Sequence, residues 1–457
     1  MFTVKLVTEA TQGKTQLPAS LEFTGITTDS RAVQPGQLFV ALKGEKFDGH
    51  FYCAKALQLG AAGVLVEKTA GLPQDKTIQV ADTLKAYQAI AHAYRKSSPL
   101  VKVVAITGSN GKTSTKDLIA TALASKYKVI KTEANFNNEI GLPKTLLTIA
   151  PDTQIAVVEM GMRGFGQIRA LKALAEPDTV VITNVGETHM ELLGSMENIA
   201  KAKSEILENL TAKNDAILNG DDPYIQKMHT GANTTTYGII SDSAVKASKV
   251  EVTGVGTTFT YTSKVSGKTQ YVDMPLIGRH NVMNALAAIA VAEIYGVEDE
   301  AIAASLHQAV MTEKRQEILH FGNITAINDA YNASPASMQT ACNTLEKVVA
   351  AQGKGRGIAV LADMLELGKT SHDAHARVGG YVAQAGIKEL ITYGTEAKAI
   401  SEAAGKLGVK VHQVENKEAA AGLLKQIMQP DDVILFKGSH SMAVDKVIDL
   451  VFKGEGK

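Results

Sequence analysis

The stretch from Val101 to Ser114 limits the possible folds of this chain more than any other part of it. An apolar run, VKVVAI, reaches Thr107, and the chain then passes through Gly108, Ser109, Asn110 and Gly111 into Lys112, Thr113, Ser114 and a helical pattern. Small residues let the backbone curl until successive N–H groups face a single anion, and the first turn of the following helix adds partial positive charge. Lys112 is placed to reach outer phosphates, and the Thr113 hydroxyl suits a magnesium ion. The general phosphate-loop spacing asks for another glycine at 106, where this chain carries Ile106, so that pattern is met in part. A glycine-rich turn without a ligand is the alternative. Strand, loop and helix in this order belong to parallel sheets, whose ligands gather beyond the carboxyl ends of the strands.

The same alternation continues along the chain. The apolar runs IAVVEMG, TVVITNVG and DAILNGDD are separated by helical patterns, as in a doubly wound, mostly parallel sheet. Between residues 231 and 276 a Thr-, Val-, Ser- and Gly-rich segment alternates with period two, which predicts antiparallel hairpins, and a helix from Asn281 to Tyr295 follows. Upstream, QLFVALKG, a turn at GEKFDGH, a helix from Tyr52 to Leu59 and AAGVLVE outline a small α/β unit. Helical DTLKAYQAIAHAYRK and the turn-forming Ser97-Ser98-Pro99 close it. Beyond Thr312 to Gln316, the runs NITAIND, GIAVLAD, KELITYG and DDVILFKG predict strands of a further α/β unit. The expected fold class is therefore α/β with three domains. These are a small α/β domain over 1–98, a central domain over 99–312 with a P-loop-type, mostly parallel sheet and an antiparallel portion, and a Rossmann-like α/β domain over 313–457. The length of 457 residues agrees, because single cores rarely organise more than about 250 to 300 residues.

Charge and composition exclude several functions. Lys plus Arg total 47, as do Asp plus Glu, so no global basic field draws the chain to nucleic acid or anionic lipid. No segment approaches the roughly 20 apolar residues of a bilayer span, and the N-terminus MFTVKLVTEA lacks the apolar core of a secretory signal. Cys53 and Cys342 supply neither a disulfide framework nor a cysteine-rich zinc site. The expectation is a cytoplasmic monomer that binds no nucleic acid and does not insert into membranes.

Two further strands end in residues suited to a metal. Glu159 closes one apolar run, and Asn184 closes another with His189 in the loop beyond. The carboxyl ends of parallel strands open on one edge, so the glycine loop, Glu159 and His189 are expected to converge there. A carboxylate oxygen suits magnesium, whereas His189 suits a second ion or a phosphate oxygen, or is a solvated loop residue. In NIAKAKSEILENL, read as one helix, Lys203 falls in the apolar stripe of Ile199, Ala202, Ile206, Leu207 and Leu210, while Lys201 faces the opposite side. A lysine so placed snorkels, pairs with a buried acid, or is modified.

The blocks TGSNGKTST, NFNNEIGLP, VVEMGM, TNVGETHMELLGS, AKAKSEIL, GRHNVMNALAA, NDAYNASPASM and VLADMLELG stand in this order. Together they resemble the Mur ligases, ATP-dependent amino-acid ligases of bacterial cell-wall synthesis. The likeness runs from TTDSR at 27 to KGSHSM at 437–442, and NDAYNASPASM and VLADMLELG are its most specific blocks. The resemblance implies the shorter glycine-loop spacing found here. It also implies ATP and Mg2+ as cofactors, with Glu159 and His189 as magnesium ligands beside Thr113, and a carbamylated Lys203 able to hold a second magnesium. His280 and Asn284 would contact the adenine region, and Arg315, Asn328 and Asp329 would reach the ATP from the third domain, Arg315 toward a phosphate and Asp329 toward a ribose hydroxyl. Lys112, His189, Lys203 and Arg315 would be the catalytic set. Asp29, Ser30, Arg31, Lys43 and Gly44 would hold a uridine diphosphate, and Asn135, Asn137 and Asn138 the muramoyl peptide. Where relatives often carry arginine this chain has His440, which leaves Lys437 and Ser439 for the incoming dipeptide. The activity implied is the addition of D-alanyl-D-alanine to UDP-N-acetylmuramoyl-tripeptide through an acyl phosphate. The alternatives are another ligase of the family, the folylpolyglutamate-synthase type included, or a nucleotide-binding partner protein without catalysis.

Overall fold

The computed structural model describes residues 2–44, 47–310 and 312–453. Glu45 and Lys46 of the expected GEKFDGH turn lie outside the described residues. The chain forms two compact units. One comprises 1–105, 128–161 and 169–178, and the other comprises 106–127, 162–168 and 179–457.

In the first unit, the strands Lys14–Thr15, Thr77–Gln79, Gly63–Val66, Leu38–Val40 and Ile26–Thr27 are neighbours in that order. The first pair is antiparallel and the others are parallel. Val33, Phe39, Ala41, Cys53, Ala56, Val64 and Val66 form the core beneath the short helix Cys53–Gln58. The helix Thr83–Lys96 starts where Asp82 accepts the Lys85 N–H at 2.9 Å. It buries Tyr87, Ile90, Ala91 and Tyr94, the spacing of one helix face. Two parallel strands, Val129–Lys131 and Ile155–Glu159, also lie in this unit, and Glu159 is the last residue of its strand, as expected.

In the second unit, Thr179–Ile182, Asp215–Asn219, Asn233–Gly238 and Val245–Val252 pair parallel in succession, followed by antiparallel Thr257–Ser263 and Thr269–Met274. The hairpin expectation for 231–276 therefore holds from Val245 onward. It fails for Asn233–Gly238, whose alternating threonines sit between two parallel partners. The helices Lys112–Ala124 and Arg279–Ile294 pack together, and the second is buried almost all round, which fits its Ala-rich sequence. The α-helix containing Lys203 spans Met196–Ser204 and tightens to a 3-10 turn at Glu205–Leu207, shorter than the single helix expected.

A second sheet in this unit has the order Glu317–Phe321, Ile324–Asn328, Val433–Lys437, Gly357–Ala362, Glu389–Tyr393, Lys410–Val414. Only the Glu317–Phe321 edge is antiparallel. Apolar clusters cover both faces, one around Met338, Leu345, Leu361 and Val378, the other around Ile358, Ile391, Leu424 and Phe436. The carboxyl ends of its three central strands deliver Asn328 and Asp329, Lys437, and Asp363 to one edge.

Candidate functional site

The glycine loop is built by backbone demands at both of its glycines. A Cβ on Gly108 would collide with the Thr183 side chain, and Gly111, with φ +78°, would place a Cβ 2.7 Å from Asn284 Oδ1. Between them, Asn184 clamps the loop. Its Oδ1 accepts the Asn110 N–H at 2.9 Å, its Nδ2 donates to the Asn110 carbonyl at 3.0 Å, and its own carbonyl accepts the Ser109 N–H at 2.9 Å. Thr183 Oγ1 also donates to Asn110 O at 2.6 Å, and the Gly186 N–H donates to Ser109 Oγ at 2.8 Å. Lys112 folds back over this turn, its Nζ 2.8 Å from Gly108 O and 3.3 Å from Ser109 O. The loop therefore presents an ammonium group and the amino end of a 13-residue helix together, the chemistry of an anion site.

Residues from the third expected domain reach the same loop. Arg315 Nη2 donates to Thr113 Oγ1 at 2.7 Å, and its guanidinium lies 3.9 Å from the centre of the Tyr331 ring. Its Nε is buried without a hydrogen-bond partner, so one donor of the fork is unused. Ser334, which caps the helix Pro335–Gln352, donates its hydroxyl to Asn110 Oδ1 at 2.9 Å. Asn284 accepts from Thr115 Oγ1 at 3.1 Å. Burial pushes His280 down to about 4 despite a hydrogen bond with Gln316, so its ring is neutral at pH 7. Asn328 donates to Glu317 at 2.9 Å. Asp329 pairs with Lys437 at 2.7 Å; burial pushes its carboxyl up, while Lys437 and Arg315 draw it back down.

Lys203 is 2% exposed. Desolvation, with Lys112 as a second positive charge, holds its amine well below the ordinary lysine range. At that burial the Lys203 side chain does not snorkel to solvent. His189 follows strand Thr179–Ile182 with φ +57°, and its Nδ1 meets Glu366 Oε2. In the first unit, Glu159 is 2% exposed, its Oε1 accepts from the Asn137 amide at 2.8 Å, and its own N–H donates to Thr132 Oγ1 at 3.0 Å.

The other first-unit residues are arranged as follows. Arg31 donates Nε and Nη2 to the two Asp29 oxygens at 2.9 and 2.8 Å, and the Arg31 contact holds the Asp29 carboxyl down to about 2. The guanidinium stays exposed. Ser30 is buried, the backbones of Lys43 and Asp48 form an isolated antiparallel β-bridge, and the Gly44 N–H donates to Phe47 O at 2.7 Å. Asn138 Oδ1 accepts the Gly141 N–H at 2.9 Å, a turn role, and Asn135 is exposed.

Three family models match successive segments of the chain. The Mur ligase family catalytic domain matches residues 22–107, the Mur ligase middle domain 106–292, and the Mur ligase glutamate ligase domain 314–440. The chain belongs to the Mur ligase family. It is 39% identical over 458 residues to the UDP-N-acetylmuramoyl-tripeptide--D-alanyl-D-alanine ligase of Bacillus subtilis, covering 98% of each chain. Among solved structures, MurF of Acinetobacter baumannii superposes with a TM-score of 0.90 at 29% identity and 99% coverage of both chains. MurF ligase of Thermotoga maritima in complex with ADP gives 0.82 at 26% identity, covering 94% of this chain and 97% of that one.

In this Mur ligase, Lys437 and Ser439 are both buried. Lys437 donates to Asn332 O at 2.8 Å besides pairing with Asp329, and Ser439 Oγ accepts the Leu365 N–H at 2.9 Å. Three residues were not singled out by the sequence. Tyr331 stacks on Arg315, Gln316 bonds His280, and Glu366 holds His189. Tyr331 and Glu366 lie inside the two most specific blocks of the resemblance, which was the available signal.

Among the described residues no three His, Cys, Asp or Glu side chains gather into a metal site. Magnesium tolerates this, since it commonly keeps waters and takes substrate phosphates in place of a full protein cage. The Thr113 hydroxyl and a carbamylated Lys203 are donors of the hard oxygen type it prefers.

Proposed function

We propose that this Mur ligase joins D-alanyl-D-alanine to UDP-N-acetylmuramoyl-tripeptide at the expense of ATP, forming an amide bond. The observation that carries this reading is the glycine loop itself, shaped by Asn184 and Thr183 and met by Arg315. Full-length similarity to ligases of that name supports the choice of substrates. A carboxylate is a poor electrophile at neutral pH, so the γ-phosphoryl group of ATP is first moved to the tripeptide's terminal carboxylate. The dipeptide amine then attacks the acyl phosphate, and ADP and phosphate leave. No covalent enzyme nucleophile is required.

The demanding step presses a carboxylate against a triphosphate, and the protein meets it by pooling positive charge. Lys112 swings from its loop carbonyls to the outer phosphates. Arg315, with a donor to spare, neutralises charge on the transferring group. Neutral His280 and Asn284 serve the adenine region, and Asn328 and Asp329 the ribose side. Thr113, Glu159, His189 and a carbamylated Lys203 are the residues that would hold magnesium, which when bound would supply Lewis-acid neutralisation of the phosphates. Asp29, Ser30, Arg31, Lys43 and Gly44 serve the uridine diphosphate, Asn135, Asn137 and Asn138 the muramoyl peptide, and Lys437 and Ser439 the dipeptide. On this reading the chain works in the cytoplasm, in peptidoglycan synthesis and hence in cell shape and division. Among the described residues no helix is long and apolar enough to cross a membrane.

The test is mass-spectrometric identification of the product from purified protein, ATP, Mg2+, D-alanyl-D-alanine and UDP-muramoyl-tripeptide. Formation of the UDP-linked pentapeptide supports the reading. Product only with a single amino acid in place of the dipeptide, or only with a folate acceptor, overturns it.

A further inference from the structure

The loop Gly186–Gly194 is clasped by the segment that follows strand Gly357–Ala362. Glu366 takes the Nδ1 hydrogen of His189, although the two residues are 177 positions apart. The backbone carbonyl of Glu366 accepts the Glu191 N–H at 3.1 Å. Glu187 pairs with Arg377, and a Cβ on Gly368 would lie 3.0 Å from Glu191 Cα, so the two backbones are in close approach. Arg163 Nε lies 3.8 Å from the second Glu366 oxygen.

Backbone conformation at the centre of the clasp is unusual on both sides. His189 has φ +57° and Glu366 φ +63°. Left-handed backbone is uncommon for residues other than glycine and persists where the surroundings determine it. Two such residues facing each other across one side-chain hydrogen bond mark a contact that the fold sustains at a cost. Nothing in the packing of either sheet calls for it, since both side chains are partly exposed.

An ionised carboxylate only accepts, so the proton between the two groups belongs to His189 Nδ1. A neutral imidazole then has its remaining lone pair on Nε2, and Nε2 has no partner among the described residues. We propose that Glu366 is the positioning residue of His189, fixing the ring and its tautomer so that Nε2 is the nitrogen offered to a cation arriving with the nucleotide. Carboxylates commonly orient ligating histidines in this manner. The identity of that cation rests on the ligase reading above; the tautomer does not.

The test uses the full chain and two substitutions. Glu366→Gly removes the carboxylate at a backbone conformation that glycine favours, so the variant is expected to fold. Glu366→Gln keeps an oxygen able to accept from Nδ1. Long-range proton–nitrogen correlation on ¹⁵N-histidine-labelled protein reads the tautomer without nucleotide or metal, with His189→Ala identifying the signal. Wild type and Glu366→Gln should show Nδ1–H. Glu366→Gly should move to a mixture dominated by Nε2–H, the form a free imidazole prefers. Turnover of Glu366→Gly should fall about 10- to 100-fold in kcat, with KM for the dipeptide unchanged, and Glu366→Gln should recover most of it. An unchanged tautomer in Glu366→Gly overturns the proposal, and so does a shifted tautomer with wild-type kcat. Wild-type protein that makes no pentapeptide would sink the ligase reading and leave the tautomer to decide this one.

Discussion

Replacing Glu293 with glutamine should make the protein more stable at alkaline pH and not at acidic pH. Glu293 ends the buried helix Arg279–Ile294 beside Asp299. Its oxygens accept from Ser263 Oγ at 2.6 Å and Ser266 Oγ at 3.3 Å, while Tyr261 OH donates to Asp299 at 2.5 Å. Desolvation, with the neighbouring Asp299 acting in the same sense, pushes the Glu293 carboxyl up to about 7. In the unfolded chain it returns to about 4.5. Between these values the folded state holds a proton that the unfolded state has lost, so this group's contribution to stability declines as pH rises and is gone above the folded value. Linkage over that window gives a loss of about 2 to 3 kcal/mol from pH 5 to pH 8. Glutamine mimics the protonated acid, since its amide donates toward Asp299 and its oxygen accepts from Ser263, and it does not titrate. The assay is urea unfolding followed by circular dichroism for wild type and Glu293→Gln, with slopes compared to confirm that the same transition is observed. The variant's advantage should grow by about 2 to 3 kcal/mol from pH 5 to pH 8. A difference that stays flat across this range would refute the account of a raised Glu293 carboxyl.

Further outcomes test the site. Lys112→Ala should abolish ligation while its circular dichroism and unfolding midpoint stay near wild type; normal turnover would remove the loop from the reaction. Lys203→Arg puts a permanent charge in a site that disfavours one and should stop turnover, while wild-type protein equilibrated with ¹³C-bicarbonate should give a carbamate carbon signal missing from the variant. No signal in active wild type would leave Lys203 as an unmodified amine. Lys437→Met strands Asp329 without its partner and should cost about 3 to 5 kcal/mol of stability, as broken buried pairs do. A neutral effect in urea unfolding would mean that Asp329 is already protonated.

The sequence showed most clearly what depends on neighbours in the chain. Apolar runs ending in turn residues marked the strands Lys102–Thr107, Ile155–Glu159 and Thr179–Ile182, because a strand buried on both faces leaves no polar alternation to mislead. Lys203 was visible as a cation in an apolar stripe, and burial bears out that placement. The Thr-rich Asn233–Gly238 strand was misassigned because period two describes a half-exposed strand without saying whether its partner runs parallel. The two edge strands of one sheet, Glu317–Phe321 and Lys410–Val414, were missed, because a half-exposed edge carries charged and polar residues that break up an apolar run. Contacts such as Lys437 with Asp329, and His189 with Glu366, join residues 108 and 177 positions apart, so they follow from topology alone.

The clamp that Asn184 and Thr183 place on Asn110 has a thermodynamic consequence. A loop already in its final shape surrenders little freedom when a triphosphate enters, so association should proceed without the large unfavourable entropy of coupled folding. Substituting Asn184 by alanine would return that freedom to the empty loop, and calorimetry would record the difference as an entropic penalty on nucleotide binding.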